Sequence, residues 1–356
     1  MSIKRLVKPW EPVLFAAFFA GAMFGALPAR AGESAMPAMN MRDASSQPQS
    51  MDDMMMGAPG LAPFGIMTLP KGHWMIAYQF MFDQMDGNLD GTDEVSSEEI
   101  LQNFSFAPTA MTMQMHMFMV MYQPTDKLQA MVMLPYIRKN MDMLAFDGER
   151  FTEHSDGIGD LELRATYSIY NTKDLRHQFL LKGGLGVPTG SIDKTMDGFQ
   201  LEYPMQLGSG TVSLLPGLTY LGQQLPWGWG GDFNSTVQIG TNDHDYRFGN
   251  QYQVSIWIAR QLANWVSLSV TGSGEFWGNV HGADPRLDIN DQPVNDPNRQ
   301  GGKRLDALFG ITFHPESGFF RRQQFFVYGD VPVVQSLDGP QPQRSWVMRF
   351  AWQWEF

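Results

Sequence analysis

The run MTMQMHMFMVMY, residues 111–122, places methionine at every second position six times in succession. Successive side chains of a β-strand point to opposite faces, so this strict period of two predicts one strand with every thioether on the same face. The six residues are Met111, Met113, Met115, Met117, Met119 and Met121. What that face contacts decides whether the sulfur atoms act as ligands or as apolar surface.

The chain ends with a second clear alternation, RSWVMRFAWQWEF. One face of the predicted strand carries Trp346, Met348, Phe350, Trp352, Trp354 and Phe356, and the other carries mainly small or polar residues. An aromatic face of this density is typical of a strand that faces lipid. A terminal strand that ends in Phe also resembles the assembly signal of bacterial outer-membrane barrels. We therefore expect outer-membrane lipid and the barrel-assembly machinery as partners.

Further alternating segments occupy residues 160–170, 251–258, 266–277 and 304–314, and turn-forming clusters separate them. Their second face is polar or charged, which indicates a wet lumen rather than the dry interior of a soluble sandwich. Short links alternate with long polar ones at 86–107, 142–158, 190–212 and 279–303. The sequence predicts an all-β fold, a transmembrane antiparallel up-and-down β-barrel of about 12 strands, within limits of about 10 and 14.

The N-terminal sequence predicts where in the cell the protein is located. Lys4, Arg5 and Lys8 precede an apolar run, and Ala29-Arg30-Ala31 has the form of a signal-peptidase site. An uncleaved anchor helix is the alternative, but the run is shorter than the roughly 20 residues that a membrane span requires. We expect a signal peptide at 1–31, a flexible Met-rich periplasmic tail at 32–72 and an outer-membrane barrel at 73–356 in a Gram-negative cell.

Composition excludes several classes of function. The chain has no cysteine, which excludes a disulfide scaffold and thiolate metal sites. Its net charge of −12 argues against nucleic acid as a partner, because phosphate recognition requires clustered Lys and Arg. No Ser/His/Asp constellation converges on one face of the strands, so we expect no enzymatic activity. The sequence gives no sign of a nucleotide or organic cofactor.

Methionine is concentrated in one part of the chain, where 21 of the 26 residues fall between Met36 and Met143. Thioethers are soft neutral ligands that select Cu(I) over hard cations, and we expect the same for Ag(I). Cross-strand neighbours lie about 4.5 to 5.5 Å apart at Cβ, so adjacent strands could form sites with two or three thioethers. The candidate metal ligands are Met54, Met55, Met56, Met75, Met81, Met111, Met113, Met115, His116, Met117, Met131 and Met133.

Two interpretations of the methionine run remain open. Alternation sends Met75 and Met81 of the first strand to the lumen, and Met131 and Met133 of the third. In the second strand, Phe118 and Val120 on the non-methionine row suit lipid, but His116 on the same row suits a lumen. The thioethers are therefore either lumen ligands or an adaptable apolar surface that faces lipid.

Three stretches resemble a known family of outer-membrane barrels, the "MetA-pathway of phenol degradation" family. They are the turn from Asp156 to Asp160 (DGIGD), the strand end GGLGVPTG at 183–190, and the hairpin at 122–137. The resemblance covers most of the chain after about residue 72. It implies a channel or porin-like transporter without catalytic residues, and Met-rich members look like companions of copper-resistance systems.

Together these features predict an outer-membrane channel or transporter that handles copper or silver as cargo. The alternative is passive uptake of small hydrophobic or aromatic compounds.

Overall fold

A computed structural model of the chain describes residues 61–63, 68–315 and 317–356. The predicted signal peptide and most of the predicted tail, including Met54, Met55 and Met56, lie outside the described residues. None of the helices in the described part has the length and apolar character needed to cross a membrane. The fold is all-β, as the alternation predicts.

The described residues form the following strands: β1 Trp74–Gly91, β2 Asp93–Val95, β3 Phe106–Tyr122, β4 Leu128–Ala145, β5 Arg150–Ile158, β6 Leu161–Asn171, β7 His177–Val187, β8 Thr195–Met196, β9 Phe199–Gln200, β10 Val212–Leu214, β11 Gly217–Gln224, β12 Trp227–Ile239, β13 Tyr246–Arg247, β14 Gln251–Ala263, β15 Val266–Trp277, β16 His281–Gly282, β17 Gly302–Phe313 and β18 Gln323–Glu355. Short helical segments occupy α1 Ser97–Ile100 and the 3₁₀ turns Tyr203–Met205, Pro293–Asn295, Pro297–Arg299 and Gly318–Phe320.

Eleven of these strands close a ring in the order β1, β3, β4, β6, β7, β11, β12, β14, β15, β17, β18 and back to β1. Every pair is antiparallel, and a ring of antiparallel pairs needs an even number of strands. The 33-residue strand β18 supplies the twelfth member of the ring, because its residues 325–337 pair with β17 and its residues 337–355 pair with β1. β18 therefore crosses the barrel wall twice. This gives twelve strand crossings and confirms the predicted number of about 12.

The barrel has two distinct ends. At the terminus end, Trp74 and Phe356 exchange two backbone hydrogen bonds of 2.9 Å, and the connections between strands are short. The long connections lie at the other end, which we call the loop end. The sequence placed a loop at 142–158, and this was wrong: β4 continues to Ala145 and β5 pairs with it, so most of this stretch extends the sheet as a hairpin arm.

The two faces of the barrel differ as the sequence predicted. Exposed apolar side chains on the outer face include Phe118, Val120, Val132, Leu134, Ile256, Ile258, Phe309, Ile311, Phe350 and Trp354. Buried polar side chains on the inner face include Asp83, Gln129, Asp232, Ser267, Thr271, Asp306, Asp330 and Gln353. An apolar outside with a polar lumen is the arrangement of a membrane barrel and the reverse of a soluble protein.

Candidate functional site: the methionine wall of the lumen

Strand register places methionine opposite methionine on β1, β3 and β4. Met121 lies between Met75 and Met131, and Met111 lies between Met85 and Met141. Two further pairs are Met119 with Met133 and Met81 with Met115. Opposed residues of an antiparallel pair point to the same face, so these side chains share one surface. We call this surface the methionine wall.

Charged neighbours show which way the methionine wall faces. Met113 lies directly between Asp83 on β1 and Lys139 on β4, and Asp83 is fully buried. The opposite row of β3 carries Phe118 and Val120, which are 55% and 44% exposed. Charged groups with partners occupy the lumen and apolar groups face lipid, so the thioethers line the lumen. Of the two orientations that the sequence left open, the one that faces the lumen is correct.

His116 lies on the outer face. Its Nδ1 atom is 2.8 Å from the Tyr78 hydroxyl, and its ring lies 5.1 Å from that of Phe80. Neither ladder of β3 has an irregularity at this position, so His116 points away from Met115 and Met117. Its place among the candidate metal ligands is therefore corrected: the structure does not bring its imidazole together with the thioethers.

The methionine wall contains two clusters. The terminus cluster comprises Leu69, Met75, Ala77, Met119 and Met121, with Met117, Met131 and Met133 packed against it. The loop cluster comprises Met111, Met141, Met143, Leu201, Met205 and Val294, with Met85, Phe106, Phe151 and Met196 packed against it. Sequence reasoning missed Met196 and Met205, because folding of a long connection brings them to the wall and nothing in their local sequence indicates it.

The segment before β1 enters the mouth of the lumen. Leu61 is buried against Gly228 of β12, and Leu69 is buried in the terminus cluster. The Thr68 hydroxyl lies 3.4 Å from the side-chain oxygen of Gln178. Leu61, Leu69 and Pro70 belong to the segment predicted to be a flexible tail, and the structure instead buries them at the terminus end. Strand β1 begins at Trp74.

The rest of the lumen carries ion pairs between side chains of nearby strands. Arg344 contacts Asp83 at 2.5 Å, and Arg304 contacts Glu275 at 2.5 Å and Asp306 at 2.9 Å. Further pairs join Arg349 to Asp330 and Lys182 to Asp232. Each charge in these pairs thus has a compensating partner, which a low-dielectric interior requires. The lumen is divided between a thioether surface and a charged surface.

We next looked for side chains that could bind a hard metal ion among the described residues. Across residues 61–63, 68–315 and 317–356, no group of three or more His, Cys, Asp or Glu side chains is placed to hold a metal ion. His244, which lies in a loop, is 2.7 Å from Asp193 and forms an ion pair with it when protonated.

Comparison with solved structures identifies a shared fold. The COG4313 outer membrane channel from Pseudomonas putida F1 superimposes with a TM-score of 0.62 at 15% identity, over 83% of this chain and 99% of that one. The toluene transporter TodX of P. putida gives 0.42 at 13% identity, over 81% and 91%. A Pseudomonas aeruginosa FadL homologue gives 0.41 at 9%, over 80% and 90%. Scores at the level of these last two carry no argument about function.

Comparison with curated proteins finds no match. The family model described as "Putative MetA-pathway of phenol degradation" matches residues 116–295, which are 180 of the 356 residues. The match spans β3 to the 3₁₀ turn Pro293–Asn295 and includes the DGIGD turn and the 183–190 strand end. The chain therefore belongs to the MetA-pathway of phenol degradation family of outer-membrane barrels.

Proposed function

We propose that the protein is an outer-membrane channel or transporter that handles Cu(I) or Ag(I) through the methionine wall. The observation that carries this proposal is the register of β1, β3 and β4, which sets thioethers side by side on the lumen face. Soft monovalent ions favour thioether sulfur, and a channel for hard cations would present oxygen ligands instead.

The spacing on the wall suits exchange between sites. Successive methionines along one strand are separated by about 7 Å, too far for two sulfurs to share one ion. Cross-strand partners have Cβ atoms about 4.5 to 5.5 Å apart, within reach of a common ion for a flexible side chain such as Met. Pairs and triplets across the strands would therefore hold the ion, and steps along the strands would transfer it.

The two clusters have different roles on this proposal. The exchange path begins in the terminus cluster and continues to the next cross-strand pair. It consists of Met75, Met119, Met121, Met131 and Met133, followed by Met81 and Met115. Met111 has thioethers on both sides, Met85 and Met141, but Leu201 and Val294 pack in the same cluster, and we assign Met111 to apolar contact. Met113 stands between opposite charges, and Met117 faces Gln79 and Pro135, so neither has a methionine opposite it on the neighbouring strands.

Orientation follows the rule that outer-membrane barrels have short turns in the periplasm and long loops outside the cell. On this basis the terminus end is periplasmic, and the segment before β1 enters from that side. Met54, Met55 and Met56 would then stand in the periplasm ahead of the exchange path, where they could capture the ion before it enters.

Silver binding by the refolded mature chain, in a background where every methionine before residue 61 is replaced by Leu, tests the proposal. Ag(I) resists oxidation in air, and the thioethers of that segment would otherwise bind it in parent and variant alike. We expect the variant Met75→Leu/Met119→Leu/Met121→Leu/Met131→Leu to bind Ag(I) at least about tenfold more weakly in competition with a chelator. Leucine keeps volume and hydrophobicity close to those of Met, so the barrel should fold. The matched control is Met348→Leu, because Met348 is 53% exposed on the outer face. Equal affinity of the quadruple variant and the parent would contradict the proposal.

A second candidate is passage of small hydrophobic or aromatic compounds. One observation favours it: the apolar side chain of Leu69 already packs among these thioethers. Uptake of a fluorescent aromatic probe into liposomes separates the candidates, because the quadruple Leu variant should keep such uptake while it loses silver binding.

A further inference from the structure

One stretch of a long connection lies inside the barrel. Residues 201–207, which we call the inner loop, belong to the connection from β7 to β10 and include the 3₁₀ turn Tyr203–Met205. Leu201, Glu202, Tyr203, Met205 and Leu207 are all buried. Leu201 and Met205 belong to the loop cluster at the loop end of the methionine wall. The inner loop therefore covers that end of the wall.

The barrel wall binds three consecutive carbonyls of the inner loop. Lys139 Nζ donates to the carbonyl oxygens of Pro204 and Gln206, at 2.6 and 2.7 Å. Ser155 Oγ donates to the intervening carbonyl oxygen of Met205, at 2.7 Å. Lys139 and Ser155 are themselves paired across β4 and β5. A buried ammonium needs hydrogen-bond acceptors, and the carbonyl oxygens of the inner loop supply them. The position of the inner loop against the wall therefore depends on Lys139.

The connection narrows to a neck where it leaves the barrel. The Asp160 carboxylate accepts hydrogen bonds from the backbone N–H groups of Gly190 and Ser209, at 2.9 and 2.8 Å, and from the Ser209 hydroxyl at 2.7 Å. A Cβ at Gly190 would lie 2.6 Å from the Cα of Gly208, so the two chain segments that form the neck are in direct contact. The two ends of the connection are thus held together, so its covalent links to the barrel leave at one place.

Two buried carboxyl groups lie side by side, Glu202 of the inner loop and Glu153 of β5. One oxygen of each has no hydrogen-bond partner among the described residues, and Gln292 Nε2 donates to the other oxygen of Glu202 at 3.3 Å. The charged groups that face Glu202 are Lys139 from β4 and Glu153 from β5, while the neighbouring connection contributes the amide of Gln292. One ammonium balances one carboxylate, so the closed arrangement is neutral when the pair shares a proton.

We infer that the inner loop gates the lumen at the loop end, with Lys139 as its latch and the Glu153–Glu202 carboxyl pair as the group that releases it when the pH rises. This role concerns access to the lumen and holds whichever cargo passes.

The direction of the pH effect follows from the closed state. Burial, and then the charge of Glu153, raises the pKa of Glu202 well above its ordinary value of 4.5. A group whose pKa is raised in the closed state stabilises that state fully below its ordinary value and loses this contribution as the pH rises through the raised value. The gate is therefore closed in acid and loosens as the pH rises toward neutral, where Lys139 is still an ammonium and two carboxylates would face it.

Thiol labelling tests the gate directly, because the chain has no cysteine of its own. Met205→Cys places a probe on the inner loop itself, where its side chain is buried against the methionine wall, and Phe146→Cys places one on an exposed turn at the same end. The ratio of their maleimide labelling rates removes the intrinsic pH dependence of the thiol. We expect this ratio to rise at least about tenfold from pH 5.5 to pH 7.5 in the refolded full mature chain.

Variants assign the roles. Lys139→Met should give fast labelling of the Met205→Cys probe at both pH values, and Glu202→Gln should give slow labelling at both. Lys303→Met, an exposed lysine on β17, is the matched control and should behave as the parent. Ser155→Ala, which removes one bond of the same seat, replaces Lys139→Met if that variant does not refold. Equal protection of the probe at both pH values in the parent, or a probe that stays protected in Lys139→Met, would overturn the inference.

Discussion

At the scale of single residues, the lumen shows how a barrel keeps charges inside a membrane protein. Asp83 is fully buried on β1 beside the methionine wall, and the guanidinium of Arg344 contacts both of its carboxylate oxygens at 3.1 and 2.5 Å. The same Arg344 reaches Asp306 at 3.5 Å, so one cation serves two carboxylates. Removal of Asp83 would leave Arg344 with only the longer contact to Asp306, so its buried charge would be only partly compensated.

We predict that Asp83→Ala lowers the free energy of unfolding by about 3 to 5 kcal/mol, the usual effect of breaking a buried ion pair. Reversible urea unfolding of the refolded barrel, followed by tryptophan fluorescence, measures the change. The control is Asp174→Ala, because Asp174 pairs with Arg176 in an exposed turn where water replaces the interaction. A similar loss in both variants would show that the lumen pair has no special role in stability.

The outer-face position of His116 gives a second prediction at this scale. His116→Phe should leave Ag(I) affinity unchanged, because its side chain and the thioethers lie on opposite faces of β3. The variant removes only the contact with the Tyr78 hydroxyl, and an apolar ring suits a lipid-facing surface. Chelator competition on the purified variant measures the affinity. A clear weakening would mean that β3 is turned differently in the metal-bound protein.

At the scale of elements, alternation alone predicted the strands and most of their faces. Met75 and Met131 were assigned to the lumen because clear apolar rows lie on the other face of their strands. The same reasoning left β3 open, because His116 and Gln114 interrupt its outer row. Pairing decides the question through Asp83 and Lys139, which are remote in sequence from Met113. Long-range register of this kind is not encoded in the pattern of one strand.

The inner loop was beyond sequence reasoning for a related reason. Residues 190–212 are rich in polar and small residues, which predicts an exposed connection. Its seat depends on Lys139 and Ser155, two wall residues whose local patterns fit ordinary lumen positions. The sequence also gave no sign that Leu61 and Leu69 enter the lumen, because the surrounding segment has the composition of a linker.

Packing between β12 and β14 supports a prediction at the element scale. The large side chain of Trp257 is buried in the lumen, and a Cβ added at Gly230 would lie 2.2 Å from its ring. Gly230→Val should therefore displace the indole and destabilise the barrel, typically by about 1 to 3 kcal/mol for overpacking. Urea unfolding with near-UV circular dichroism detects both effects. Gly231→Val is the control, since its nearest neighbours lie 3.7 Å away or more.

At the scale of the whole molecule, the barrel is closed by its two ends. β1 pairs with β18 from Met75 with Glu355 to Gly91 with Leu337, and Trp74 and Phe356 add two backbone bonds beyond this ladder. His73 contacts Glu355 at 2.8 Å at the same corner. The start of β1 and the end of β18 therefore meet beside the segment that precedes β1. The contacts that close the barrel are also the contacts at the opening of the terminus end.

Removal of Phe356 separates its structural contribution from its predicted role as an assembly signal. The deletion costs two backbone hydrogen bonds and the ring contact with Trp354, a small part of a ladder that extends over most of β1. Purified protein should therefore still refold in detergent and keep its heat-modifiable migration on gels. If the barrel-assembly machinery reads the terminal aromatic residue, folded protein in the outer membrane of cells should fall severalfold. Phe356→Tyr keeps the aromatic ring and should restore it, whereas equal loss in detergent and in cells would reduce Phe356 to a closure contact.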